Sequence, residues 1–430
     1  MRANCGCSGR WLFSGSRVLL GLATLFVATA SAATFSVNSV GDTDDGACSA
    51  AHCTLREAIL VANASPGTDE IVFDIPGTGP HTIQPGSRLP TIVDPIVIDG
   101  YTQPGARANT NPPELGSNAV IQVEVNGDLA GCASGFWIET GNSVVRGLAV
   151  TGFSIVGREC GAGFLVRGSG NNSIEGNFIG IDPSGSLERP NHMGLTLVSP
   201  TNTVGGAEPG ARNVISGNNE YGIWLANANE SRVIGNLIGT DASGEVAVPN
   251  TVGILVRLAH GNVFGGMTPS ERNVISGNRG NGLVILDRDS TENYILGNYF
   301  GTNVSGTGAL GNGTQGFGNG SGIAIDGRGN VVGGETKDAG NLIAYNPCSA
   351  MYINGVDNAV LNNRTNNPFV IPSNRFNDIL IRESGDSGLR QTTGHAIVCR
   401  VILCDSSLGF GQGGHRLGHL GTDYIILIRR

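Results

Sequence analysis

RNVISGN occupies residues 212–218 and is spelled again at residues 272–278, sixty positions later. A fixed period of this kind decides the fold before any single residue does. Three longer lines lie over one another in the same way: NSIEGNFIGIDPSG from Asn172, SRVIGNLIGTDASG from Ser231 and ENYILGNYFGTNVSG from Glu292. Their Gly-Asn pairs, Gly176-Asn177, Gly235-Asn236 and Gly297-Asn298, are 59 and 62 residues apart. A finer mark is a glycine followed by alternating apolar residues, at Gly135, Gly163, Gly194, Gly222, Gly253, Gly282 and Gly322, with offsets of 28, 31, 28, 31, 29 and 40. The sixty-residue unit is therefore two turns of about thirty.

Each turn holds three short runs with period-two alternation, such as Ile223-Trp224-Leu225, Arg232-Val233-Ile234 and Leu237-Ile238, separated by Gly, Asn, Ser and Asp. Runs this short are strands, not helices. One turn is then one rung, and strands of successive rungs pair in parallel at ~4.8 Å. A propeller blade needs ~40–50 residues, so the period excludes it. The expected fold is all-β: a right-handed parallel β-helix, a solenoid of stacked rungs. Ile223, Leu225, Ile254, Val256, Leu283 and Ile285 should stack inside. Asn should stand at the bends, where it tolerates left-handed backbone and can bond the amide one rung above.

The stack needs covered ends, because an open sheet edge pairs with other chains. CTLREAILVANA (residues 53–64) supplies one cover: Leu55, Ala58, Ile59 and Ala62 share one helical face, and Thr54 and Glu57 are spaced as a capping box. Ahead of it, Arg2, Arg10 and Arg17 precede the apolar VLLGLATLFVA (residues 18–28) and a small-residue stretch ending at Ala32. That is the layout of a cleavable export signal, and its core is shorter than the ~20 residues that span a bilayer. The expected order is a signal peptide at 1–32, a capping region at 33–68, the β-helix at 69–373 and an irregular tail at 374–430.

Composition agrees with an exported solenoid. Glycine supplies 68 of 430 residues, hydrophobic residues 40% and charged residues 14%. With 26 basic and 35 acidic residues the net charge is −9, and Lys337 is the single lysine, so nucleic acid is not an expected partner. Signal cleavage would leave seven cysteines, an odd number. Cys132 and Cys160 each stand three residues before a rung-marking glycine, which places them one rung apart within disulfide reach. Cys48 and Cys53 are expected to pair across their five-residue step.

CTLREAI together with VGDTDDGACSAAHC (residues 40–53) resembles the CSLREA-type N-terminal region of exported bacterial proteins. VIDGYTQPG (97–105), GNLIGTDASG (235–244) and RNVISGN resemble the β-helix repeats that follow it. The resemblance covers residues 34–346, with Thr54 where that family usually has Ser. It implies secretion or surface display and no assigned reaction. Beyond residue 374 the likeness stops, as it would at a truncated or frame-shifted end.

The candidate chemistry is sparse. Asp182 and Asp241 recur with the period, and the third copy carries Asn303, so they read as loop formers. Asp287, Asp289, Glu292 and Asp326 do not recur and are the catalytic candidates. Glycoside hydrolysis needs two facing acids. Asp42, Asp44 and Asp45 before Gly46 offer oxygens to calcium, without the closing Glu of a full calcium loop. Trp137 and Trp224 have outward parity and could stack on sugar rings. His192 and His260 hold different places in their rungs, so no metal pair is expected from them. Two readings follow. The first is a non-catalytic protein binding extracellular polysaccharide, cell-surface glycan or another surface partner; the second is a polysaccharide lyase or glycoside hydrolase. Acids and an Arg converging on one sheet face favour the second, and a face of Asn, Ser and Thr the first.

Overall fold

The computed structural model describes residues 32–157, 159–313 and 320–365, with the strands Phe369–Val370 and Ile379–Arg382. Three sheets of twelve, ten and nine strands run the length of the described stack, and every pairing between their strands is parallel. A rung visits them in turn: Tyr221–Ala226 in the nine-stranded sheet, Arg232–Ile234 in the twelve-stranded sheet, Leu237–Ile238 in the ten-stranded sheet. The chain is thus a parallel β-helix, as the period predicts. Ile223, Leu225, Ile254, Val256, Leu283 and Ile285 are all fully buried in one continuous core.

RNVISGN can be explained letter by letter. Arg212 is buried and donates to the carbonyls of Pro113, Leu115 and Gly235, clamping the excursion at residues 107–120 onto the ten-stranded sheet. Burial lowers its pKa to about 10, with the charge of Arg272 adding to it. Arg272, the second copy, donates to Gly297 and stacks on Tyr299 at 4.1 Å. Ile215 points into the main core, while Val214 lies under the loops that cover the sheet's outer face. Ser216 Oγ donates to Thr240 and accepts from the Gly239 N–H. The two asparagines belong to different corners of the coil.

At each corner an asparagine ladder runs up the stack. In one, the amide of Asn213 donates to Asn236, Asn236 to Asn273, Asn273 to Asn298 and Asn298 to Asn341, at 2.8–3.1 Å. A second passes through Asn191, Asn218, Asn250, Asn278, Asn312 and Asn346. Backbone groups that turn away from the sheets at a corner are buried and need partners, and these amides supply them. The expectation of left-handed backbone is met at Asn142, Asn171, Asn227 and Asn362 but not at the ladder asparagines; before Asn218, Asn236, Asn278 and Asn298 the positive φ falls on the preceding glycine, 76° at Gly217 and 74° at Gly235. Glycine takes the bend without steric cost, which leaves the Asn amide free to point along the stack.

The double period has a geometric cause. Rungs containing Thr203–Gly205, Val263–Gly265 and Val331–Gly333 insert a 3-10 turn, at Pro209–Ala211, Pro269–Glu271 and Lys337–Ala339. The rungs between them insert a loop after Phe178–Ile179, Leu237–Ile238 and Tyr299–Phe300. There Asp182, Asp241 and Asn303 each accept backbone N–H groups four and five residues ahead, so they are loop anchors.

The stack is longer than the sequence boundaries of 69 and 373. Thr34–Val37 already pairs in parallel with Asp69–Phe73, and Ile379–Arg382 pairs with Asn358–Leu361. Both strands lack the Gly and Asn that mark the regular rungs, which is why the spacing missed them. Between the first two strands, helix Leu55–Ala64 lays Leu55, Ala58, Ile59 and Ala62 on the end of the core. Its capping box is present: Thr54 accepts from the Glu57 N–H, and Glu57 accepts from the Thr54 N–H at 2.7 Å. Burial pushes the Glu57 carboxyl up, but N–H groups of Asp45 and Thr54, the Thr54 hydroxyl and the charge of His52 together hold it below the usual range. Cys48 bonds Cys53, and Cys132 bonds Cys160. Residues 1–31, with the expected export signal, and residues 383–430 lie outside the described residues. No helix among the described residues is long and apolar enough to cross a membrane.

Candidate functional site

Inward and outward residues alternate along each strand, so strict register makes every outward position a row running up the sheet. On the nine-stranded sheet one such row passes from Trp137 through Leu165, Thr196, Trp224, Leu255 and Val284. It continues through Ala324 to Tyr352. The ten-stranded sheet is roofed by its own loops. This mostly apolar strip is largely buried, with Trp137, Leu165, Thr196, Leu255 and Val284 at 4–9% exposure, and its accessible members are Trp224, Ala324 and Tyr352.

The two tryptophans do not share a fate. Trp137 is 7% exposed, with the guanidinium groups of Arg88 and Arg167 over its ring at 4.7 and 5.2 Å and its indole N–H donated to Glu139. Its outward parity holds, but the expectation that it could meet a sugar does not, because neighbouring arginines already occupy the ring. Trp224 is half-buried and leans against Tyr221, with ring centroids 6.2 Å apart at 53°.

Polar groups rim the strip on both sides of Trp224. Before the strands, His192 Nε2 lies 2.9 Å from Glu220, which also hydrogen-bonds the Tyr221 hydroxyl. Burial, then the Glu220 hydrogen bond and charge, push that phenol up to about 12. Beyond the strands, the chain turns at Asp287, whose φ is 67°. That turn ends Leu283–Leu286 and frees the Asp287 carboxylate from the inward parity of Leu283 and Ile285. Asp287 accepts from Arg257 Nε at 2.9 Å, and Asp326 accepts from the Asn354 amide at 3.1 Å. Asp287, Arg288, Asp326, Arg328 and Asn354 line a depression of about 290 Å³.

The structure thus brings Asp287 and Asp326 together, while Asp289 and Glu292 are exposed and do not line the depression. The His192, Glu220 and Tyr221 group was not found from sequence. Its members come from two rungs, and only the register places His192 beside Glu220. The calcium candidates are dispersed: Asp42 pairs with Arg56, Asp44 accepts from the Gly46 N–H, and Asp45 turns toward His52. Asp42, Asp44 and Asp45 therefore do not face a common centre.

No protein-family model matches the chain, and no curated protein sequence matches it. Among solved structures, the chain is similar to a mannuronic acid specific polysaccharide family 6 lyase from human gut microbiota at 12% identity and a TM-score of 0.42, over 83% of this chain and 78% of that one. It is similar to an alginate lyase from Paenibacillus sp. at 14% identity and a TM-score of 0.30, over 83% and 99%. For pectate lyase Pel9A the values are 13% and 0.33, over 85% and 83%. Likenesses this distant say nothing about what this chain binds; the fold stands on its own three parallel sheets.

Proposed function

We propose that this chain is a secreted or cell-surface β-helix protein that binds an extracellular polysaccharide along the outer face of its nine-stranded sheet and does not cleave it. The observation that carries the reading is the register-stacked strip centred on Trp224 and rimmed by polar groups on both sides. The half-buried indole of Trp224 can present part of its face to the C–H surface of a sugar ring. Glu220, Asn354 and the carboxylates at the rim can take hydroxyl hydrogen bonds. Asp287 is held by Arg257 and Asp326 by Asn354, so each carboxylate already has a structural partner. The two disulfides suit an oxidising compartment. The export signal of residues 1–32 and kinship with the CSLREA-type proteins belong to the same proposal.

The test is binding of the exported protein to a panel of polysaccharides, with Trp224→Ala beside wild type. Loss of one stacking contact worth ~1–1.5 kcal/mol should weaken binding roughly tenfold. Equal binding by the variant would remove the strip from the account. The second reading, a lyase or hydrolase, rests on two carboxylates and two arginines meeting at one depression. Release of reducing ends or unsaturated products by wild type, abolished in Asp287→Asn or Asp326→Asn, would establish it and displace the first.

A further inference from the structure

The N-terminal cap holds a second constellation, far from the glycan strip in sequence and independent of it. Asp45, His52 and Glu57 each present a ligand atom, and the three lie within 4.8 Å of one another. We propose that they bind one divalent transition-metal ion of the zinc class, with solvent completing its shell.

His52 Nδ1 is shut off from water and has no hydrogen-bond partner, although the ring's outer edge is open. It stands 3.6 Å from Asp45 Oδ2 and 3.5 Å from Glu57 Oε2. An imidazole nitrogen facing two carboxylate oxygens needs a cation between them, either its own proton or a metal ion. A proton there would draw one oxygen in to ~2.7–2.9 Å; neither is so close. Two ligands on one tetrahedral ion at ~2.0–2.1 Å are instead separated by roughly 3.4 Å, close to both distances.

The remaining lone pairs agree. Glu57 Oε1 accepts from the Asp45 N–H, and Oε2 accepts from the Thr54 N–H. The single proton of the Thr54 hydroxyl is shared between the Thr43 carbonyl at 2.9 Å and Oε2 at 3.1 Å, and a metal ion at Oε2 would send it to Thr43 and take the lone pair it frees. Asp45 uses Oδ1 on the Ala47 N–H and keeps Oδ2. One nitrogen and two carboxylate oxygens suit zinc and its neighbours, whereas calcium takes six to eight oxygens. The set is also held in place. The Cys48–Cys53 bond closes the loop that carries His52 and begins three residues beyond Asp45, and the Asn38 side chain accepts from the Cys53 N–H. With both cysteines bonded, no thiolate competes as a ligand.

The experiment is titration of the untagged, chelator-treated exported protein with Zn²⁺, and separately with Ca²⁺ and Co²⁺. One equivalent of Zn²⁺ should bind, excess Ca²⁺ should not displace it, and Co²⁺ should give the intense visible absorption of a four-coordinate ion. His52→Ala and Asp45→Asn should each weaken Zn²⁺ binding at least about 100-fold. Both keep the Thr54–Glu57 capping box, so their metal-free melting temperatures should match wild type, which separates a lost ligand from a lost fold. His260→Ala should leave binding unchanged. The proposal is overturned if wild type and His52→Ala bind Zn²⁺ alike, if the Co²⁺ spectrum is only the pale six-coordinate one, or if His260→Ala removes the site.

Discussion

Asn273→Ala removes one link from an asparagine ladder, and its cost can be worked from the hydrogen bonds around it. The Asn273 amide donates to the Val233 carbonyl at 2.7 Å and to Asn298 Oδ1 at 2.9 Å. Its oxygen accepts from the Asn236 backbone N–H and from the Asn236 amide, both at 3.0 Å. Asn273 is fully buried, so no water replaces these bonds. The Asn236 amide keeps the carbonyls of Val204 and Ile234, and Asn298 Oδ1 keeps the Asn273 backbone N–H. The Asn236 backbone N–H keeps nothing. Leaving that donor unsatisfied costs ~1–3 kcal/mol, and each of the three other bonds contributes ~0.5–1.5 kcal/mol. The expected loss is about 2.5–7.5 kcal/mol, against ~1 kcal/mol for Asn303→Ala in an exposed loop. Denaturant unfolding of the two variants beside wild type measures the difference. Hydrogen exchange at the Asn236 amide should accelerate in Asn273→Ala alone. A loss below about 1 kcal/mol, or an Asn236 amide as protected as in wild type, would refute the claim that the ladders stabilise the corners.

Reducing or replacing Cys132 and Cys160 opens a loop with a sequence separation of 28 and should cost about 3–4 kcal/mol by loop-closure entropy, read as a lower unfolding midpoint. Tyr221 has a folded pKa raised from 10.0 to about 12, so its contribution is complete below pH 10 and is lost as pH rises toward 12. Tyr221→Phe should flatten the pH dependence of stability in that window, and phenolate absorbance should show one tyrosine fewer titrating late. Asp241→Ala deletes the acceptor for the Glu245 and Val246 N–H groups in a solvent-facing loop and should cost roughly 1–2 kcal/mol. It should not change glycan binding, because that loop follows a strand of the ten-stranded sheet.

The parallel coil, the inward residues of each rung, the cap helix and both disulfides were legible in the sequence, for one reason. In a solenoid each rung meets only its neighbours, so a fixed period converts spacing along the chain into stacking in space. RNVISGN carries its own partners with it at each repeat. What the period does not carry is anything that depends on departures from it. The offset of 40 between Gly282 and Gly322 hides the alignment of Asp326 with the turn at Asp287. His192 meets Glu220, and His52 meets both Asp45 and Glu57, through bends whose paths no alternation pattern specifies. Parity placed Trp137 and Trp224 on the same outward row, and that much was correct. Only the folded chain set Arg88 and Arg167 over one indole and left the other half open, because exposure is decided by which distant side chains arrive above a position.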